Sequence, residues 1–150
     1  MHKVAAFLSL SMMTMSCAAQ DKVVANPSYS LSDQEVATLS NQAYEGSAVA
    51  AMRLSDRYFY DLSKGQRSKM QDKALVWALI GAENDGPQAQ FRAYQLLGTS
   101  SERAKWVRAL FWLKKSAGSG DADAQRELRV CSTLESKRPS GTSCFGPEEP

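Results

Sequence analysis

The chain has 150 residues, with 18 Lys plus Arg against 16 Asp plus Glu, one His and three Cys. That length suits one domain and the 43% hydrophobic content suits a packed core, while a net charge of +2 lacks the concentrated basic face that nucleic acid requires. The lone histidine, His2, falls in a segment read below as a removable leader, so histidine triads, histidine metal sites and histidine pH switches lose their central residue.

Residues 1–19 have the three-part layout of a secretory signal. Lys3 supplies the positive start and Val4 to Met15 an uncharged apolar stretch. Small residues follow in Ser16-Cys17-Ala18-Ala19 before polarity returns at Gln20-Asp21. The apolar stretch is shorter than the about 20 residues that span a membrane. Two processing routes fit. Thr14-Met15-Ser16-Cys17 resembles the lipobox of bacterial lipoproteins, in which the Cys becomes the lipidated first residue, although Thr14 stands where that family prefers Leu. Cys17-Ala18-Ala19 also presents small residues to an ordinary signal peptidase cutting after Ala19. Lipidation of Cys17 is favoured, with Ala18 behind it resembling sorting to the outer membrane; both routes lead to the periplasm. Cys131 and Cys144 then remain as an even pair in an oxidising space, and a disulfide is expected rather than a reactive thiol that no His activates.

Residues 20–31 contain Pro27 and no helical period, and read as a tether. Ser32-Asp33-Gln34-Glu35 is a capping box flanked by the Leu31/Val36 staple, and it opens a helical domain over 32–134. Helices are expected near 33–44, 47–60, 69–84, 87–97, 102–118 and 121–134, with Ser68 to Gln71 as a cap for the third. No segment alternates with period two, so strands are not expected. Residues 135–150, with Pro139, Gly141, Gly146, Pro147 and Pro150, form a C-terminal tail held back by Cys144.

The helical region repeats itself. Lys73-Ala74-Leu75-Val76-Trp77 recurs 35 residues later as Arg108-Ala109-Leu110-Phe111-Trp112, and the same offset carries Ala82 onto Ala117, Ala89 onto Ala124 and Ala93 onto Leu128. A degenerate first copy holds Gly46, Ala48, Ala50, Leu54 and Tyr58. A period in the mid-thirties with two helices per unit marks a helical solenoid, for which about three units are the minimum. The pattern Ala74, Trp77, Ala82, Ala89 and its copy Ala109, Trp112, Ala117, Ala124, Leu128 resembles Sel1-like repeats, relatives of the tetratricopeptide repeat, over roughly residues 33–130. Departures are Asp85 at the expected turn Gly, and Glu35 and Thr38 in place of the Ala and Trp of the first unit. The resemblance implies an all-α fold, a short right-handed solenoid of about three helix-turn-helix repeats with those residues as its core.

Catalytic constellations are missing. Gly118-Ser119-Gly120 has neither a preceding strand nor a following Lys-Ser/Thr, and Ser100-Ser101 and Ser140 to Ser143 have no general base at a recognisable spacing. Asp121-Ala122-Asp123 lacks calcium-loop spacing, so no metal and no cofactor is expected. Binding is better motivated. Trp106 aligns with Gln71, so the repeat does not demand an aromatic there; it serves either as an interface anchor or as packing against the preceding linker. Lys105, Arg108, Lys114 and Lys115 share its helix and read as a solvated face, or else as one that favours an acidic partner. Phe59 and Tyr60 are unexplained by the repeat and either cover the loop that follows or contact a partner. The Sel1-like resemblance implies a protein-binding role: an immunity protein occluding a secreted bacterial toxin, or else an envelope adaptor or assembly scaffold. β-lactam or peptidoglycan hydrolysis is the third option. The membrane is met only through a lipid on Cys17.

Overall fold

Ser32 opens the first helix by a reciprocal exchange. Its hydroxyl accepts the Glu35 amide, and the Glu35 carboxylate accepts the Ser32 backbone amide at 2.8 Å. These hydrogen bonds hold the Glu35 carboxyl below its usual range, so their contribution is present near neutrality and lost as pH falls through the folded value. The computed structural model describes residues 30–60 and 66–147. Six helices follow one another there: α1 (Asp33–Tyr44), α2 (Ala48–Phe59), α3 (Arg67–Glu83), α4 (Pro87–Gly98), α5 (Arg103–Gly118) and α6 (Ala122–Val130). The described residues contain no strand, only an isolated antiparallel bridge between Lys137 and Ser143. Each helix packs on its chain neighbours, α2 on α3 and α4 on α5 most extensively, while α2 also meets α4 and α1 meets α3. The signal segment 1–19 with Cys17, and the tether up to residue 29, lie outside the described residues.

Two helix ends differ from expectation. The third helix begins at Arg67, with Gln66 as its N-cap and no side-chain cap bond, so Ser68 to Gln71 lies inside the helix and does not cap it. The sixth stops at Val130 instead of 134. The Cys131 amide still reaches the Glu127 carbonyl at 2.7 Å, but Cys131 then leaves the helix to bond Cys144, and the Ser136 hydroxyl takes the Thr133 amide at 3.0 Å.

Small residues set the helix spacing. A methyl group on Gly81 of α3 would lie 2.8 Å from the Ala89 Cβ, 3.2 Å from the Ala51 Cβ and 3.2 Å from the Ala48 carbonyl oxygen. A methyl on Gly86 would lie 2.7 Å from the Ala48 Cβ. Gly81→Ala therefore tests close packing against helix propensity. Propensity alone would stabilise by about 1 kcal/mol, but overpacking costs about 1–3 kcal/mol. We expect a net lower midpoint in chemical denaturation; a higher one would show that α2, α3 and α4 separate freely.

The turns between paired helices share one device. Gly46 (φ 101°), Asp85 (φ 59°) and Gly120 (φ 93°) all adopt the left-handed conformation. Asp85 does so with a side chain, which accepts an ion pair from Lys115 Nζ at 2.8 Å; Asp is among the few residues that tolerate this region. A glutamine-to-carbonyl bond repeats as well. Gln90 Nε2 donates to the Ala82 carbonyl at 3.2 Å, and Gln125 Nε2 donates to the Ala117 carbonyl at 3.2 Å, 35 residues on.

Two apolar clusters fill the interior. Leu31, Leu39, Ala43, Ala50, Ala51 and Leu54 form one, with Trp77 and Ile80 packed against it. The other runs from α3 to the tail through Ala78, Ala82, Ala89, Ala109, Trp112, Ala117 and Ala124, with Leu128 partly buried at its edge. Ala74 is also buried. The tail completes this second cluster. Phe145 is 2% exposed and meets the Tyr94 ring edge-on at 6.0 Å, and the Gly146 amide donates to the Gly98 carbonyl at 2.8 Å. Beneath it, Glu127 accepts from the Tyr94 hydroxyl at 2.6 Å and from Arg138 at 3.2 Å.

Candidate functional site

The residues singled out for binding fall in two places, and the structure adds a third. Trp106 is partly buried. Its indole N–H donates to the Ser100 carbonyl in the α4–α5 linker, and its ring lies against Gly146 of the tail, where a Cβ would sit at 3.5 Å. It fastens linker and tail to the start of α5, which is the second of the two roles open to it from sequence. Lys105, on the same turn, pairs with Glu102 at 2.8 Å. Arg108 is exposed and forms no ion pair among the described residues.

Phe59 and Tyr60, at the end of α2, serve Arg92 of α4. The guanidinium carbon stands 3.8 Å from the centre of the Phe59 ring and 5.3 Å from that of Tyr60, whose hydroxyl is 3.4 Å from Arg92 Nη2. Asp56 completes the clamp at 2.9 Å. Burial raises the Asp56 carboxyl above its usual range, and the attraction of Arg92 only partly opposes this. The pair thus fixes α2 against α4 without being a strong source of stability, since desolvation outweighs the charge attraction. By sign, a raised carboxyl costs stability as pH rises above its unfolded value. Phe59 and Tyr60 also line a cleft of about 280 Å³ with Met52, Phe91, Gln95 and Asp123.

The third place is the outward face of the odd-numbered helices. Val76 on α3 and Phe111 on α5 are equivalent in the repeat, and they are 55% and 57% exposed. Val107, one turn before Phe111, is 54% exposed. Val107 and Phe111 lie one turn apart on α5, a folded domain gains nothing from placing such side chains in water, and exposed apolar patches mark contact surfaces. Phe111 is held edge-on against Trp112 at 4.9 Å, so its orientation is fixed from below. Cations border the patch. Lys73 and Arg108 are equivalent in the repeat, and Lys114 lies three residues beyond Phe111. Residues 103–118 contain five cations and no acid. Arg103, Lys105 and Lys115 are matched by Glu135, Glu102 and Asp85, which leaves Arg108 and Lys114 without a carboxylate among the described residues. A hydrophobic centre flanked by uncompensated positive charge suits an acidic protein surface with an apolar depression.

Sequence reasoning passed over Val76, Val107 and Phe111 as a group. The signal was present: with Ala74, Ala78, Ala109 and Trp112 fixed as inward positions, residues 76, 107 and 111 must point away from them on a helical wheel. The Arg92 clamp carried no such signal, because Asp56, Phe59 and Arg92 meet only through tertiary packing. The Tyr94 hydroxyl is pushed far above its ordinary range by burial and by its bond to Glu127, so it stays a fixed donor. Among the described residues no group of three or more His, Cys, Asp or Glu side chains is arranged to hold a metal, and no helix is long and apolar enough to cross a membrane. Comparison with family models, curated proteins and solved structures finds no match to this chain.

Proposed function

We propose that the chain is a non-enzymatic binding module of about three Sel1-like helix-turn-helix repeats stacked as a short right-handed solenoid, exported to the periplasm and held there through a lipid on Cys17. Its role is that of an immunity protein that occludes the working site of a secreted bacterial toxin. The observation that carries the binding reading is the exposed Val76–Val107–Phe111 patch with its unmatched cations. The 35-residue recurrence of the glutamine-to-carbonyl bond supports the repeat reading, because it reproduces a structural detail and not merely a residue type.

Phe111→Asp and Arg108→Glu test the surface. Both side chains are exposed, so the fold should change by no more than about 0.5 kcal/mol. Loss of a central aromatic anchor costs about 2 kcal/mol or more of binding. We expect each variant to melt like the parent and to lose protection against the toxin encoded beside it. Full protection by both would remove this face from the site. At the level of the cell, deletion of the chain should reduce fitness only while that toxin gene is intact; equal loss without the toxin would sink the immunity role.

An envelope scaffold is the second reading, and the cleft between α2 and α4 favours it. That cleft is separate from the α3/α5 face, and a scaffold needs two surfaces to bridge two partners. Altered secretion or cell-surface polymers on deletion, in cells lacking the toxin, would support it.

A further inference from the structure

The C-terminal segment is built more firmly than covering the helix ends requires. Phe145 and the disulfide do the covering, yet residues 137–143, none of them fully buried and none large and apolar, form an ordered hairpin of their own. The Arg138 amide donates to the Thr142 carbonyl at 2.8 Å, and the Gly141 amide donates to the Arg138 carbonyl at 2.8 Å. Pro139-Ser140-Gly141 is thus a three-residue hairpin loop that ends in the left-handed conformation, with Gly141 at φ 86°, where Gly is the residue that turn demands. Side chains lock it further. The Ser140 and Thr142 hydroxyls share a bond of 2.8 Å, and Arg138 donates to the Ser143 carbonyl at 2.7 Å while its other nitrogen reaches Glu127. At the base the Cys144 amide donates to the Ser136 carbonyl at 3.1 Å and the disulfide joins Cys144 to α6.

The tip stands in solvent. Pro139, Ser140, Gly141, Thr142 and Ser143 are exposed, and a methyl group on Gly141 would find no atom within 4 Å. Two antiparallel strands lie about 4.8 Å apart, so the tip is a narrow projection. Its free charge is positive: Arg138 is paired with Glu127, whereas the exposed Lys137 has no carboxylate partner among the described residues, and no carboxylate lies between Lys137 and Phe145 in sequence. The hairpin is also tied to the contact face. Glu135, two residues before Lys137, pairs with Arg103 at 3.2 Å, and Arg103 is one turn ahead of Val107 on α5. That pair sets the base of the hairpin beside the turn of α5 that precedes Val107.

From this we infer that hairpin 137–143 is a wedge that enters a carboxylate-lined cleft of the protein partner held on the α3/α5 face. The inference rests on the reading of the chain as an occluding binder, and it adds the element that does the occluding. A loop ordered before contact loses little conformational entropy on insertion, which is the general advantage of preorganisation. Lys137 and the tip hydroxyls supply the donors that acidic side chains in a cleft would accept.

The test uses the full chain in the cells that make it, with the photoreactive residue benzoylphenylalanine placed in turn at Ser140, at Phe111 and at Gln42 on α1. We expect the Ser140 and Phe111 chains to yield adducts of one mass, the Gln42 chain to yield none, and the partner peptide joined at Ser140 to contain Asp or Glu. Lys137→Glu should lower the Ser140 adduct at least about tenfold, as reversal of a contacting charge does, with an unchanged melting temperature and no free thiol. An adduct from Phe111 alone, a Ser140 adduct with lipid only, or indifference to Lys137→Glu would overturn the wedge and leave the binding face standing. No adduct at either position, or equal adducts at all three, would overturn both.

Discussion

Phe145→Ala is expected to lower the unfolding free energy by about 3–5 kcal/mol, the range for removing a fully buried Phe ring. The side chain is 2% exposed and belongs to the same apolar cluster as Tyr94, Leu97 and Trp106. Its loss leaves a cavity that the disulfide prevents the tail from closing by moving away. In a domain of this size each kcal/mol shifts the melting temperature by about 4–8 °C, so the shift should be about 12 °C or more. Phe111→Ala is the matched control. That ring is more than half exposed, and the melt should stay within about 0.5 kcal/mol of the parent. Equal melts for the two variants would mean that the tail does not belong to the cooperative unit.

The second large effect is expected on replacing both Cys131 and Cys144 by serine. The bond closes a loop between residues 13 apart, and both cysteines are buried at 0% and 4% exposure. Loop-closure entropy alone accounts for about 3 kcal/mol. Burying two serine hydroxyls in place of sulfur adds to the loss. Hydrogen exchange separates local from global opening. The Gly146 amide, bonded to the Gly98 carbonyl, should exchange much faster in the variant. Amides of α2 beside Ala51 and Leu54 belong to the other apolar cluster and should keep their protection. Uniform acceleration across both clusters would show that the tail stabilises the entire domain at once.

What could be read from sequence divides along physical lines. The helices are local: the capping box at Ser32, the positions of Ala and Trp, and the turn residues placed all six within a few residues of where they stand. Asp85 illustrates the limit. The pattern marked it as a departure from glycine, and the chain keeps the left-handed turn at that very residue with Lys115 as its partner. The end of α6 was placed too late because helical composition continues past Val130, whereas the competing claim on Cys131 comes from Cys144. Trp106 offered an aromatic without a repeat-derived reason, and nothing local told its contact with the Ser100 carbonyl from an exposed anchor. Phe145 was overlooked because a single apolar residue among Gly, Pro and Ser has no period to announce it. The Arg92 clamp joins residues 32 and 36 positions apart, a distance at which neither propensity nor spacing speaks.

The covered end of the second apolar cluster has a further consequence for assembly. Layered helices present an unfinished face at each terminus, the helical counterpart of an open sheet edge, and an unfinished face invites head-to-tail growth into fibres. At the C-terminal end that invitation is withdrawn covalently. Phe145 covers Tyr94 and the end of α4, and the Cys131–Cys144 bond holds the tail against them. An apolar face closed in this way is not offered to a second copy of the chain.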